Sequence, residues 1–264
     1  MSFFESISKK SKLKAAIKQT TEARNSEAGV ADQLFNGVYQ DYAEVVAHEP
    51  LIAEALYNWG FALLHQAKTK SGQQAEALYQ EAIEKFAFCL LVEPAYLGAA
   101  IDGGVAYMEL ARVKKVSPYD GLYAQAHHYF EKANAIQAGS AAYNMACIYA
   151  LRSDKEACLN ALEIANGKGI LPVAADILND PDLAGIKGQP WFVAFIDDLN
   201  KKPELPAEIK QTPAPVAEAQ TDVAVEPEAT SVNAFKAKVE SQLVTDENAA
   251  VDEHSDVEAE LADK

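Results

Sequence analysis

The sequence predicts an all-α chain built as a stack of antiparallel helix hairpins. Three observations lead there. The 264 residues carry an internal repeat with a period of 44. Each clear copy holds two apolar stripes at helical spacing. Pro50 and Pro94 stand 44 residues apart, each after a Glu, where a helix must stop because proline has no amide donor.

The repeat is read from identities. Ala55, Gly60, Ala62, Ala67, Lys70, Leu78, Tyr79, Ala82 and Phe86 recur as Ala99, Gly104, Ala106, Ala111, Lys114, Leu122, Tyr123, Ala126 and Phe130. A weaker earlier copy places Leu34, Tyr42 and Val45 before Leu78, Phe86 and Cys89, and Ala23-Arg24 before Ala67-Lys68. Three copies follow, near 9–50, 53–94 and 97–138.

Residues 1–30 therefore read as a basic N-terminal helix, the degenerate first helix of the array. Phe3, Phe4, Ile7, Leu13 and Ile17 lie among Lys9, Lys10, Lys12, Lys14 and Lys18. The other reading is an amphipathic segment, residues 1–20, that touches an anionic membrane weakly, because lysines interrupt its apolar face. Residues 52–68 carry the stripe Leu56, Trp59, Leu63 and Ala67, and residues 75–92 carry Leu78, Ala82, Phe86, Cys89 and Leu90. Lys70-Ser71-Gly72 is the turn between them. Ser117-Pro118-Tyr119-Asp120 supplies an N-cap, a first-turn proline and an acid, and predicts a helix over 118–136. Ala142–Leu151 is another first helix, followed by Cys158, Leu162 and Ala165 on its partner.

The pattern Leu56, Trp59-Gly60, Leu63, then Ala82, Phe86, Cys89, Pro94 resembles the tetratricopeptide repeat signature. The resemblance implies a right-handed superhelical stack over 31–169. The second copy departs from it at Gly103 and Ala138. The usual repeat has 34 residues, so each clear copy carries ten more; shared by two helices, that lengthens each by roughly 7 Å. Leu171-Pro172, Asp180-Pro181-Asp182-Leu183 and Gln189-Pro190-Trp191-Phe192 resemble the end-of-group module that closes some such arrays, giving a cap over 170–199. An exposed last face needs one, and Trp191, Phe192, Phe195 and Ile196 suit it. Residues 200–264 change to a Pro-, Ala- and Glu-rich acidic composition expected to be disordered. One island at 231–244 places Val232, Phe235, Val239 and Leu243 on one helical face.

In such arrays the first helices line a concave groove. The inward positions are Glu54, Tyr57, Phe61, Leu64 and His65 in one copy, Ile101, Val105, Met108 and Glu109 in the next, and Tyr143, Cys147 and Ala150 in the third; all but Glu54, Glu109 and Ala150 are the candidate peptide-binding positions. Family members that bind chaperone C-termini hold the carboxylate with Lys, Asn and Arg; here those positions carry Tyr57, Phe61, Asp102, Ser140 and Asn144, so that clamp is missing. An apolar groove with aromatic and Met edges predicts a scaffold or adaptor for a helical or apolar peptide of a protein partner. The alternatives are a peripheral membrane organiser held by the N-terminal segment, and an array occluded by its own tail helix.

Composition narrows the field. Residues 1–24 carry net +4, 25–199 net −11 and 200–264 net −9, within a total of −16, which disfavours a nucleic-acid partner. Three cysteines without CxxC, and no secretory h-region, predict a cytoplasmic protein. Adjacent His127 and His128 point about 100° apart on a helix and do not share a metal. No phosphate loop, HExxH or GxSxG motif is present. No enzyme, cofactor or metal is predicted.

Overall fold

The computed structural model describes residues 3–47 and 52–201; the tail, with its predicted helix at 231–244 and its predicted disorder, lies outside them. The described residues contain no strand. The helices are α1 Phe3–Arg24, α2 Ala28–Val46, α3 Ile52–Ala67, α4 Gly72–Val92, α5 Leu97–Lys114 and α6 Gly121–Ile136. They continue as α7 Ala142–Leu151, α8 Lys155–Gly167 and α9 Ala174–Asn179, then a 3-10 helix, Pro181–Ile186, and α10 Pro190–Lys201. Each packs on its neighbour in the chain from α1 to α8, and the odd-numbered α1 and α3, and α3 and α5, also touch. That pattern is an all-α solenoid of stacked hairpins. No helix among the described residues is long and apolar enough to cross a membrane.

The period of 44 has a physical cause. At Gly60 an added Cβ would lie 2.9 Å from Cε1 of Phe86, and at Gly104 the Phe130 ring stands closer still. Phe86 and Phe130 are fully buried. Each glycine thus lets the second helix of a hairpin press an aromatic ring against the backbone of the first. The first copy solves the same problem differently: Ala16 occupies the glycine position and buried Tyr42 the aromatic one, with the Tyr42 hydroxyl bonded to Thr20 at 2.8 Å. Burial pushes the Tyr42 phenol up to about 12.

The residues 1–20 alternative meets this packing directly. Leu13, Ala16 and Ala23 are buried against α2, and Lys12 pairs with Asp41 at 3.1 Å and with Glu44.

The extra length beyond 34 residues sits largely in the helices. α4 has 21 residues and α5 has 18, against 10 in α7 and 13 in α8. One boundary differs from expectation. Residues 117–120 form a turn, closed by Asp120 N–H to Ser117 O at 2.9 Å, and α6 starts three residues later. The cap is Asp120, whose carboxylate accepts from Leu122 N–H at 2.9 Å. The Ser117 hydroxyl accepts from Tyr119 N–H, at 3.3 Å, and does not reach α6. Two capping residues compete here, and the ionised one prevails at the helix N-terminus.

Beyond α8, Ile177, Leu183, Ile186, Phe192 and Ile196 join the same apolar cluster as Phe130, Ile148 and Leu162. Asp180 caps the 3-10 helix and Pro181 opens it. Trp191 and Phe195 pack on that cluster only in part.

Candidate functional site

α5 is the helix on which the site is built. Ile101, Val105, Met108, Glu109 and Arg112 recur at intervals of three and four and therefore share one face. At its N-terminal half this face meets α3. There Tyr57 donates to Asp102 Oδ2 at 3.0 Å, Tyr57 and Phe61 rings lie 6.1 Å apart, and Phe61 and His65 lie 4.3 Å apart. The Arg24 guanidinium, from the end of α1, sits 5.0 Å from the Phe61 ring centre, a cation–π contact. Burial, then the positive charges of Arg24 and Lys68, hold His65 down at about 4, so it is neutral near pH 7. Burial raises the Asp102 carboxyl, opposed by the Tyr57 hydrogen bond and the same two cations.

At its C-terminal half the face opens into a cleft of about 360 Å³. Val105, Met108, Glu109 and Arg112 form one wall, Tyr143, Asn144 and Cys147 of α7 the floor, and Asp176, Asn179 and residues 180–182 the far wall. Arg112 Nη2 donates to both oxygens of Asp182 at 2.9 Å, and Nη1 donates to Glu109. Burial pushes the Asp182 carboxyl upward, opposed by the charge and hydrogen bonds of Arg112. Tyr143 donates to Asp180 Oδ2 at 2.7 Å, and Cys147 Sγ lies 3.7 Å from the same oxygen. Burial and that carboxylate drive the Cys147 thiol well above its ordinary value, so it is protonated and unsuited to nucleophilic attack.

Cys147, Asp180 and Asp182 bring three donor atoms within 4.8 Å of one another, a spacing a metal could use. Protein groups already occupy them. Arg112 holds both Asp182 oxygens, and Asp180 accepts from Tyr143, Cys147 and the Asp182 amide. His127 bonds through Nε2 to the Tyr149 hydroxyl at 2.9 Å, and its Nδ1 and that of His128 lie 3.5 and 3.8 Å from the Glu131 carboxylate. Cys89 and Cys158 are buried thiols raised to about 12.

The nine groove positions thus separate. Tyr57, Phe61 and His65 form the aromatic patch near Arg24, and Val105, Met108, Tyr143 and Cys147 line the cleft. Ile101 is half-buried against the C-terminal core. Leu64 does not line an open face; at 2% exposure it belongs to the core between α3, α4 and α5. A helix presents only every third or fourth residue to one side, and Leu64 lies beside His65, about 100° around. The cleft is less apolar than the expected groove, because Glu109, Arg112, Asp176, Asp180 and Asp182 are five of its twelve lining residues. Arg112 was missed because its partner is 70 positions away; the Asp180-Pro181-Asp182 capping run was its one visible trace.

A helical-repeat array of the tetratricopeptide-like kind, with a lateral cleft, is the class of protein this geometry defines. Residues 32–159, just under half of the chain, match the model of a family described as the plant specific mitochondrial import receptor subunit TOM20. The chain is similar to that family from α2 into α8. No curated protein matches the chain. The match corrects the cytoplasmic assignment, since the family it names is mitochondrial.

Proposed function

We propose that this protein is a non-enzymatic peptide receptor, an adaptor that holds a helical or apolar segment of a protein partner along the groove from Phe61 to the cleft. The observation that carries the reading is the cleft itself, where Val105, Met108 and Tyr143 from two odd-numbered helices face one open volume. Similarity to an import receptor subunit supports the receptor role and makes a protein in transit to an organelle the natural guest. The residue-level groove (Tyr57, Phe61, His65, Ile101, Val105, Met108, Tyr143, Cys147) and the closing role of residues 170–199 are parts of the same proposal.

Two or three apolar anchors at about 1.5–3 kcal/mol each, less ordering costs, give micromolar binding. The test is fluorescence anisotropy with the full chain and a labelled 18-residue amphipathic helix, leucines at i, i+3, i+4 and i+7. Micromolar binding that falls at least tenfold in Val105→Glu, with helix content unchanged by circular dichroism, is the expected result. Absence of binding by the unaltered chain, or equal binding by the variant, rejects the groove.

A further inference from the structure

We propose that the groove is charge-ordered, and that its guest is one amphipathic helix of another protein, acidic toward one end and basic toward the other. This rests on the peptide-receptor reading and adds to it the order of charges along the guest.

Two observations carry it. At the α1–α3 end, Arg24 and Lys68 are exposed, and among the described residues neither makes an ion pair. Their fields converge on one spot, since both act on His65 and on Asp102. His65 itself adds no charge there near neutral pH. Phe61 lies under the Arg24 guanidinium at 5.0 Å with the Tyr57 ring beside it, and Lys68 follows His65 by one turn, just past the end of α3. At the other end the sign reverses. Asp176, Asp180, Asp182 and Glu109 line the cleft, and its single cation, Arg112, is already shared by two of these carboxylates. Apolar Val105 and Met108 lie in the α5 wall of that same cleft.

A uniformly basic guest would meet Arg24 and Lys68, and a uniformly acidic one would meet the far wall. Like charges at either end penalise both. The site crosses three helix spacings, from α1 to α7, at about 8–10 Å each. That is roughly 25–30 Å, the length of a helix of about 18–20 residues.

The experiment uses the full chain and three labelled 20-residue peptides of identical composition and identical apolar stripe. One carries its acids in the first third and its bases in the last, the second carries them in reverse, and the third alternates them. Acids at a peptide's N-terminus also favour its own helix, so the decisive comparison is with Arg24→Glu/Lys68→Glu, two exposed positions whose reversal leaves the core alone. One segregated order is expected to bind about tenfold tighter than the alternating peptide, and the double variant is expected to erase that preference. Equal binding of the three peptides, or a preference that survives in the double variant, overturns the charge order while the groove stands. Failure of all three to bind overturns the receptor reading and the charge order together.

Discussion

The hairpins α3–α6 and the chain from α7 onward are held by different physics. In the hairpins the fit is steric. Two rings, Phe86 and Phe130, fill hollows made by Gly60 and Gly104, and the same residues return 44 positions later. At the C-terminal end the 3-10 helix is fastened to α5 and α7 by polar contacts, Arg112 to Asp182 and Tyr143 to Asp180. The steric arrangement repeats because any hairpin can use it. The polar contacts, like Tyr57 to Asp102 between α3 and α5, join elements that are not chain neighbours and follow no period.

The sharpest break of that comparison is Gly104→Leu. Phe130 is fully buried with no free volume to enter, and overpacking costs about 1–3 kcal/mol or more. Gly104→Leu is therefore expected to cause the largest loss of stability in urea or thermal unfolding. Gly37, exposed on α2 with nothing within 4 Å of an added Cβ, supplies the contrast. Gly37→Ala removes backbone entropy without a clash and is expected to stabilise by about 0.5–1 kcal/mol. Comparable losses at both glycines would refute the steric account.

Next in size is the polar fastening. Arg112→Met strands Asp182, whose side chain is 9% exposed, beside Glu109. Losing one partner of a buried pair costs about 3–5 kcal/mol, but the Arg112 side chain is 38% exposed and solvent screens part of it. A loss of about 1–3 kcal/mol is expected. Adding Asp182→Leu is expected to restore part of it, since the most buried carboxylate is then gone and only the more exposed Glu109 loses its cation. With Trp59→Phe as background, Trp191 fluorescence reports the C-terminal end alone; the chain has two tryptophans. Trp191 emission that stays unmoved in Arg112→Met would show that the fastening does not hold this end.

The same difference explains what could be read from the residues. Periodicity and the glycine–aromatic pairs located α3 to α6 and even the first hairpin, since local pattern and fold agree there. The cap of α6 was misplaced by three residues because Ser117 and Asp120 both satisfy the capping rule, and only the turn at 117–120 decides between them. For the site, inward spacing found Val105, Met108, Tyr143 and Cys147 but put core Leu64 with them. Of the cleft's charges the spacing named only Glu109, since spacing on one helix cannot name a partner of Arg112 that lies 70 residues on.

The smallest effect is a difference of pH response between the two ends. His65 is held at about 4, below its ordinary 6.5, by burial and by Arg24 and Lys68. The unfolded chain therefore binds a proton that the folded chain refuses between those values. Stability contributed by neutral His65 is complete above pH 6.5 and is lost as pH falls toward 4. About 1–3 kcal/mol is at stake, allowing for the partial exposure of the ring. Asp182 is shifted the other way by burial, so its protonation offsets acid destabilisation at the cleft. Total stability thus mixes the two, and the informative quantity is the gap between the unaltered chain and His65→Gln. That gap is expected to change by about 1–3 kcal/mol between pH 7 and pH 4 in urea titrations, in favour of the variant at the acid end. A gap that stays flat would mean that His65 can turn its ring to water and accept the proton without leaving the folded state.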